Sequence, residues 1–548
     1  MKQIMIAAFI ILSPSICVAQ SLQIIPDEEL SSQIKNVSLE SEQMVTVLQS
    51  GKAGDVSFKN PDAIYQFYRD RDFDSFWSNG SSRASSRAQD ALEIMEQADY
   101  HGLNPDNYAV GALQKLIDDG FDDPLTFELM MSEAVICYTQ DMTGIRVKPS
   151  AIGTDSRSWR PMDAYDLLKF IEEKNDVTET LESLEPQGEL YTRLKSELKA
   201  TQKSLIDGKA SLLANKKFPG SITPGVKHPL IKSVRHVLDV SGSSDVYDDD
   251  LVGAVKDFQR ASGLKDDGVI GERTFKALQR GPMQKMVQII ATMERLRWLP
   301  RNEPVKYVEV NIARQIVSLI KDGRVVEQIP VIVGRPDRAT QDFIAHIKGI
   351  RFNPSWHVPP TIKSEDLLPA LRKDTNALAK KGIELVQYTS DGAKKIDPAT
   401  IDWNNVTTDG LKAYGMVQDP GDENPLGRVR VLMPNKYDIY LHDTNTPELF
   451  SKSYRALSSG CIRVADPKKL ANFILEEREG WSDETMNQIL STTKTKELST
   501  DDMLVYLTYQ TIWMDDGRLI TGTDIYDNDM KLYKALLDAK KLPQSLQF

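Results

Sequence analysis

In the stretch RALSSGCIRV, residues 455–464, a cysteine follows a glycine and opens an alternating apolar and charged run. Ile462 and Val464 take the core face of such a run, which sends Cys461 and Arg463 to the opposite face. A cysteine that only filled the core would point with Ile462. Gly460 has no β-carbon, so a carbonyl can come close to the backbone N–H groups around Cys461, as an oxyanion hole requires. A thiol with an ordinary pKa of about 8.5 is mostly protonated near neutrality, and a nucleophilic cysteine therefore needs an imidazole close by. In YDIYLHD, residues 437–443, alternation turns Ile439 and Leu441 to one face and Asp438, Tyr440 and His442 to the other. Of the six histidines, His442 is the one predicted on the exposed face of a strand near Cys461, and the loop TNTPELFSKSYRALSS can bring the chain back. Together these residues point to a Cys/His pair for covalent acyl chemistry.

The chain has only three cysteines in 548 residues, at 17, 137 and 461, which excludes a dense disulfide framework. Cys137 sits among Val135, Ile136 and Tyr138 in FELMMSEAVICYTQDM and is read as a buried structural thiol. Cys17 falls in MKQIMIAAFIILSPSICVAQ, where Lys2, an apolar core from Ile4 to Leu12 and small residues up to Ala19 have the layout of a cleavable export signal. Residues 1–19 are accordingly predicted as a signal peptide, with a periplasmic mature chain. No other apolar run approaches the ~20 residues needed to cross a bilayer. The formal charge of -12 argues against nucleic acid or an anionic membrane as the main partner.

The elements that must position the pair come from the rest of the chain, whose length suits several domains. Residues 20–59 are polar without sustained periodicity and read as a flexible arm. Residues 60–215 are helical: RAQDALEIMEQADYHGLNP carries Ala91, Leu92, Ile94, Met95 and Ala98 on one stripe and stops at HGLNP. Residues 228–280 form a separable helical unit. Its spacing G-x3-D-G-x2-G-x2-T-x2-A-L, starting at Gly263, resembles the peptidoglycan-binding module of many cell-wall enzymes. From 304 to 548 the period becomes strand-like, with a hairpin at Asp322-Gly323. A helix-and-loop interval at about 364–420 interrupts it, and an insertion of this kind is usually a lid or a binding loop.

The run LHDTNTPELFSKSYRALSSGCIRV resembles the signature of the L,D-transpeptidases, in which a histidine and a spacer precede a Ser/Thr-x-Gly-Cys motif. NIARQIVSLIKDGRVVEQIPVIVGRP, FNPSWHVPP, NPLGRV and the tail VYLTYQTIWMDDGRLITGTDIYD resemble the large periplasmic branch of that family. Ser459 stands where many members have a second histidine, so no role of that histidine carries over. The resemblance implies an α+β multidomain protein whose β-sandwich-like catalytic domain carries a lid, beside a helical scaffold and the small binding module. It implies that Cys461 attacks the carbonyl before the terminal D-Ala of a donor stem tetrapeptide, and that an amine of a second stem resolves the thioester into a 3-3 crosslink. His442 would shuttle the protons, with Gly460 and Cys461 N–H groups as the oxyanion hole. Arg463, Tyr440, Trp356 and Ser459 would line the substrate cleft, with Asp443 a weak candidate to orient His442. A carbapenem would acylate Cys461. The expected partners are peptidoglycan stems and glycan strands; no metal or cofactor is called for. The rival readings are an L,D-carboxypeptidase or endopeptidase with the same pair, and a wall-binding scaffold with an inert Cys461.

Overall fold

The protein was analysed as a computed structural model, which describes residues 39–547 except 55, 80–82, 155–159, 175, 207–211, 214 and 391. The predicted signal peptide lies outside the described residues. Of the arm read as flexible, the segment from residue 39 is instead built into the fold. Helix Leu39–Gln49 and a hairpin of Lys52–Ala53 with Val56–Ser57 bury Met44, Leu48 and Ala53 against the helical domain. Two apolar residues spaced i, i+4 are enough for docking once a larger core supplies the other side.

The helices that follow have identifiable starts and stops. Ser85 caps helix Ser86–Glu96 by accepting the Ala88 N–H, and Ala88, Ala91, Leu92 and Met95 form its buried stripe. It tightens into a 3-10 turn that ends at Gly102 in the left-handed conformation, at the predicted HGLNP stop. Helix Pro124–Thr143 is buried on nearly every side and forms the axis of this core. Cys137 lies there beside Glu133, and burial first, then the Glu133 charge, pushes its thiol up to about 12. Both described cysteines are free thiols.

Three helices, Leu230–Val237, Asp249–Ala261 and Glu272–Leu278, enclose Ile231, Val234, Leu251, Val255, Phe275 and Leu278. The motif residues of this unit build its own turn: Asp267 Oδ1 accepts the Val269 N–H, and the Gly268 N–H, at a φ of 71°, donates to buried Gln259.

The strand-rich region holds one mixed nine-stranded sheet, ordered Ala456–Ser458, Arg324–Gly334, Ile462–Val464, Leu441–His442, Val429–Leu432, Phe343–Phe352, Lys496–Thr508, Lys306–Asn311 and Ile316–Lys321. Strand Arg324–Gly334 also pairs with Ile316–Lys321, so the sandwich-like domain is built from a single sheet that closes on itself around one core. Asp322 and Gly323 both have positive φ, as the hairpin reading required.

The inserted segment is not only the helix-and-loop interval expected. It begins at Trp356 and contains its own four-stranded sheet, ordered Trp356–His357, Tyr414–Gln418, Ile383–Thr389 and Gly392–Lys395. Its own core includes Val358, Leu367, Leu371, Leu385, Trp403 and Met416. Short strands separated by polar turns hid its β content. No helix of the described residues is long and apolar enough to cross a membrane.

Helix Pro282–Trp298, which leads into the strands, is knitted to the helical region by charge. Glu294, on helix Pro282–Trp298, is fully buried and accepts from Arg146 Nε at 2.8 Å, Arg297 Nη2 at 2.6 Å and Trp298 Nε1 at 3.1 Å. Helix Asn528–Asp538, near the chain's C-terminus, packs along the same helix through Leu532, Tyr533 and Leu536.

Candidate active site

The site is built where two short parallel strands meet. Leu441 pairs with Ile462 and His442 with Arg463, while the Ile462 N–H donates to the Tyr440 carbonyl at 3.0 Å. One step back along this ladder, Tyr440 stands level with Cys461. Residues opposite one another on a ladder share a face, so Cys461, Tyr440, His442 and Arg463 form one cluster, with Ile462 and Leu441 in the core beneath, as alternation predicts.

Within the cluster the side chain that touches the thiol is Tyr440. Burial and then the neighbouring Cys461 charge push the phenol up, while the Tyr440 backbone and hydroxyl hydrogen bonds partly counter the burial that raises the thiol. The Cys461 thiol donates to the Asp438 carbonyl at 3.6 Å. No hydrogen bond joins His442 to Cys461 among the described residues.

His442 was expected on an exposed face, yet it is 6% exposed. Its strand is only two residues long and is roofed by its neighbours. The Tyr440 ring lies 5.5 Å away edge-on, and Arg430, opposite His442 on the next strand, places its guanidinium 3.9 Å from the Tyr440 centroid. Burial, then Arg463 and Arg430, holds the imidazole down at about 3 against the pull of backbone groups at Asp443 and Leu426. Its Nδ1 is buried without a hydrogen-bond partner among the described residues. The Asp443 carboxylate is engaged elsewhere, accepting the Arg428 and Thr444 N–H groups, both at 2.7 Å. Arg463 donates to Thr446 Oγ1 at 3.1 Å, with its guanidinium largely desolvated.

The turn bearing the thiol is fastened by side chains. The Gly460 N–H, assigned from sequence to the oxyanion hole, instead donates to Ser458 Oγ at 3.1 Å, and that hydroxyl donates onward to the Cys461 carbonyl at 2.6 Å. A serine two residues upstream can close on its own turn, and that local option was missed. Ser459 is exposed and receives Arg338 Nη1 at 3.2 Å. Arg338 also binds Asp366 at 3.0 Å and Glu365, both on the inserted subdomain. This arginine, unremarked in the sequence, ties the inserted subdomain to the rim of the thiol loop.

Trp356 lies on the first lid strand, half-buried, and lines a cavity of about 570 Å³ with Asp366, Lys381, Gln418, Glu423 and Asn445. Cys461 is not among the residues lining that cavity. The cavity neighbours the cluster through the Asn445-Thr446 turn, whose Thr446 holds Arg463.

A family model described as the L,D-transpeptidase catalytic domain matches residues 305–494. A scaffold-domain model matches 62–198, and one described as "Putative peptidoglycan binding domain" matches 237–278. A Haemophilus influenzae protein named "Putative L,D-transpeptidase" is 33% identical over 239 residues, covering 43% of this chain and 47% of the relative. The match thus spans about half of that relative's length. Among solved structures, an L,D-transpeptidase from Xylanimonas cellulosilytica aligns at 15% identity over 54% of this chain and all of its own, with a TM-score of 0.18. One from Stackebrandtia nassauensis aligns at 13% identity over 55% of this chain and 98% of its own, with a TM-score of 0.19.

Proposed function

Because this chain belongs to the L,D-transpeptidase family, with a scaffold and a peptidoglycan-binding module, we propose that it forms 3-3 crosslinks between peptidoglycan stems through a thioester on Cys461. The observation that carries this reading is the shared face of Cys461, Tyr440, His442 and Arg463 at the meeting of strands Leu441–His442 and Ile462–Val464. A thiol, a proton acceptor and a cation are the groups that acyl transfer from a carboxylate-bearing peptide needs.

Cys461 Sγ attacks the carbonyl ahead of the terminal D-Ala, the carbonyl π pair moves to oxygen, and the C–N bond breaks as the amine leaves protonated. The resting thiol and imidazole are both neutral, since burial raises one and lowers the other. The proton therefore leaves the thiol as the C–S bond forms, with His442 as acceptor and then donor to the leaving amine. Tyr440 donates to sulfur and steadies the developing thiolate. A stem carboxylate on Arg463 offsets the positive charge that now disfavours an imidazolium at His442. In the second half an acceptor amine attacks the thioester and His442 takes its proton. The lid over this site favours an amine over water as the resolving nucleophile. The enzyme acts in the periplasm, exported by residues 1–19, and the binding module engages the glycan.

The test is to incubate the purified protein with a disaccharide-tetrapeptide and resolve the products by mass. Crosslinked dimer with release of D-Ala supports the proposal. Loss of D-Ala without dimer assigns a carboxypeptidase, and unchanged substrate with Cys461 intact overturns acyl chemistry.

A further inference from the structure

Three of the four backbone polar groups around the nucleophile are already bonded. The Gly460 N–H and the Cys461 carbonyl are both taken by Ser458 Oγ, and the Gly460 carbonyl accepts from Thr340 Oγ1 at 2.7 Å. The Cys461 N–H alone has no intramolecular acceptor among the described residues. It belongs to the same peptide unit as the Gly460 carbonyl. A trans peptide is planar, with N–H and C=O pointing opposite ways. A hydroxyl that fixes the direction of that carbonyl therefore fixes the direction of the N–H.

We infer that Thr340 is a positioning residue for acyl transfer: by holding the Gly460 carbonyl it aims the Cys461 N–H at the oxyanion. This rests on the reading of Cys461 as an acylated nucleophile, but not on peptidoglycan as the substrate.

Thr340 is itself held firmly enough to do this. It is buried, its Oγ1 accepts the Gly334 N–H at 2.9 Å, and its own N–H donates to Tyr526 Oη at 3.3 Å. The Tyr526 hydroxyl in turn donates to the Gly334 carbonyl, and the Tyr526 N–H donates to Tyr509 Oη at 3.0 Å. Gly334 allows the tight return of the chain that brings Thr340 in, since a β-carbon there would lie 2.2 Å from the Arg338 carbonyl oxygen. Tyr509 and Tyr526 lie beyond residues 305–494, so the aim of the N–H depends on the tail after the matched catalytic segment. A flexible Gly460, at a φ of 117°, would otherwise let the peptide unit swing.

Two electrophiles separate positioning from simple integrity of the loop. An activated aryl acetate acylates Cys461 through an oxyanion: the S–C bond forms, the carbonyl pair moves to oxygen and returns as aryloxide leaves. Iodoacetamide alkylates the same sulfur by displacement of iodide, with no oxyanion. Removing an oxyanion donor outright costs about 10²–10³ in rate, and misdirecting one should cost at least about tenfold. In Thr340→Val the aryl acetate rate falls by at least that factor, while the iodoacetamide rate stays within about twofold; Thr340→Ser keeps the wild-type rate with the aryl acetate. Should Thr340→Val fail to fold, as judged by melting, the same ratio is read in Thr340→Ala. An unchanged ratio in the folded variant, or an equal fall with both reagents, overturns the assignment. Failure of the wild type to crosslink stems would refute the proposed function and leave this ratio a valid test of Thr340.

Discussion

Tyr440 and Cys461 stand level on the parallel ladder, and the phenol rather than the imidazole touches the thiol. A hydrogen bond to a charged partner is worth about 1.5–3 kcal/mol, and this one favours the thiolate. Tyr440→Phe should therefore raise the pH midpoint of iodoacetamide alkylation by about one to two units, following that energy, with the melting temperature nearly unchanged. An unmoved midpoint would mean that the phenol only packs.

His442 is held at about 3 by burial and then by Arg463. A lowered imidazole pKa keeps the neutral, proton-accepting form present at all pH values above that point. Acylation of the wild type by a carbapenem, measured by intact mass, should consequently show no break near pH 6.5. His442→Ala should lose about 10²–10⁴ of the crosslinking rate. Its alkylation should recover as pH rises, at a midpoint above the usual thiol range because burial raises Cys461. Crosslinking should stay low at every pH, since hydroxide cannot protonate the leaving amine.

Arg338 binds Ser459 on one side and Asp366 and Glu365 on the other. In Arg338→Ala the lid loses this tie. Hydrogen exchange should quicken in residues 356–418, and KM for stems should rise severalfold with the melting temperature little altered, because ion pairs whose carboxylates stand exposed contribute only about 0–1 kcal/mol to stability. Unchanged exchange would show that the lid core alone holds it closed.

For buried Glu294 the folded carboxyl is held at about 2, below its usual 4.5; burial opposes the charge and the Arg146 and Arg297 guanidiniums outweigh it. A depressed carboxyl pKa means the stabilisation is full above about pH 4.5 and is lost as pH falls toward 2. Glu294→Gln should destabilise the protein by about 3–5 kcal/mol at neutral pH, the cost of stranding a buried charge. It should also flatten the acid limb of a denaturation profile between those two pH values.

Alternation was a sound guide to side-chain direction: Ile462, Val464, Ile439 and Leu441 are buried where the pattern sent them. It could not tell whether the other face meets solvent, and that is why His442 is enclosed. Burial of that face depends on Arg430, on the neighbouring strand, whose guanidinium stacks on Tyr440. The Gly460 N–H was misassigned because its partner, Ser458, competes within the same turn. Thr340 and Arg338 carried no local signal, since their importance arises only from what the sheet brings beside them. The lid's sheet was missed because strands such as Trp356–His357 are too short to show a period.

Strand Lys496–Thr508 lies between Phe343–Phe352 and Lys306–Asn311, parallel to the latter, with Leu504 opposite Tyr307. The ribosome thus makes the first strand of the domain long before its parallel partner exists, and contacts so distant along the chain form slowly. Until Tyr526 has emerged, the Thr340 N–H lacks its acceptor and the clamp on the Cys461 loop is incomplete. A chain that has not yet reached Tyr526 therefore lacks one of the hydrogen bonds that hold Thr340, and the turn bearing Cys461 takes its final shape only after residues beyond the matched catalytic segment have been made.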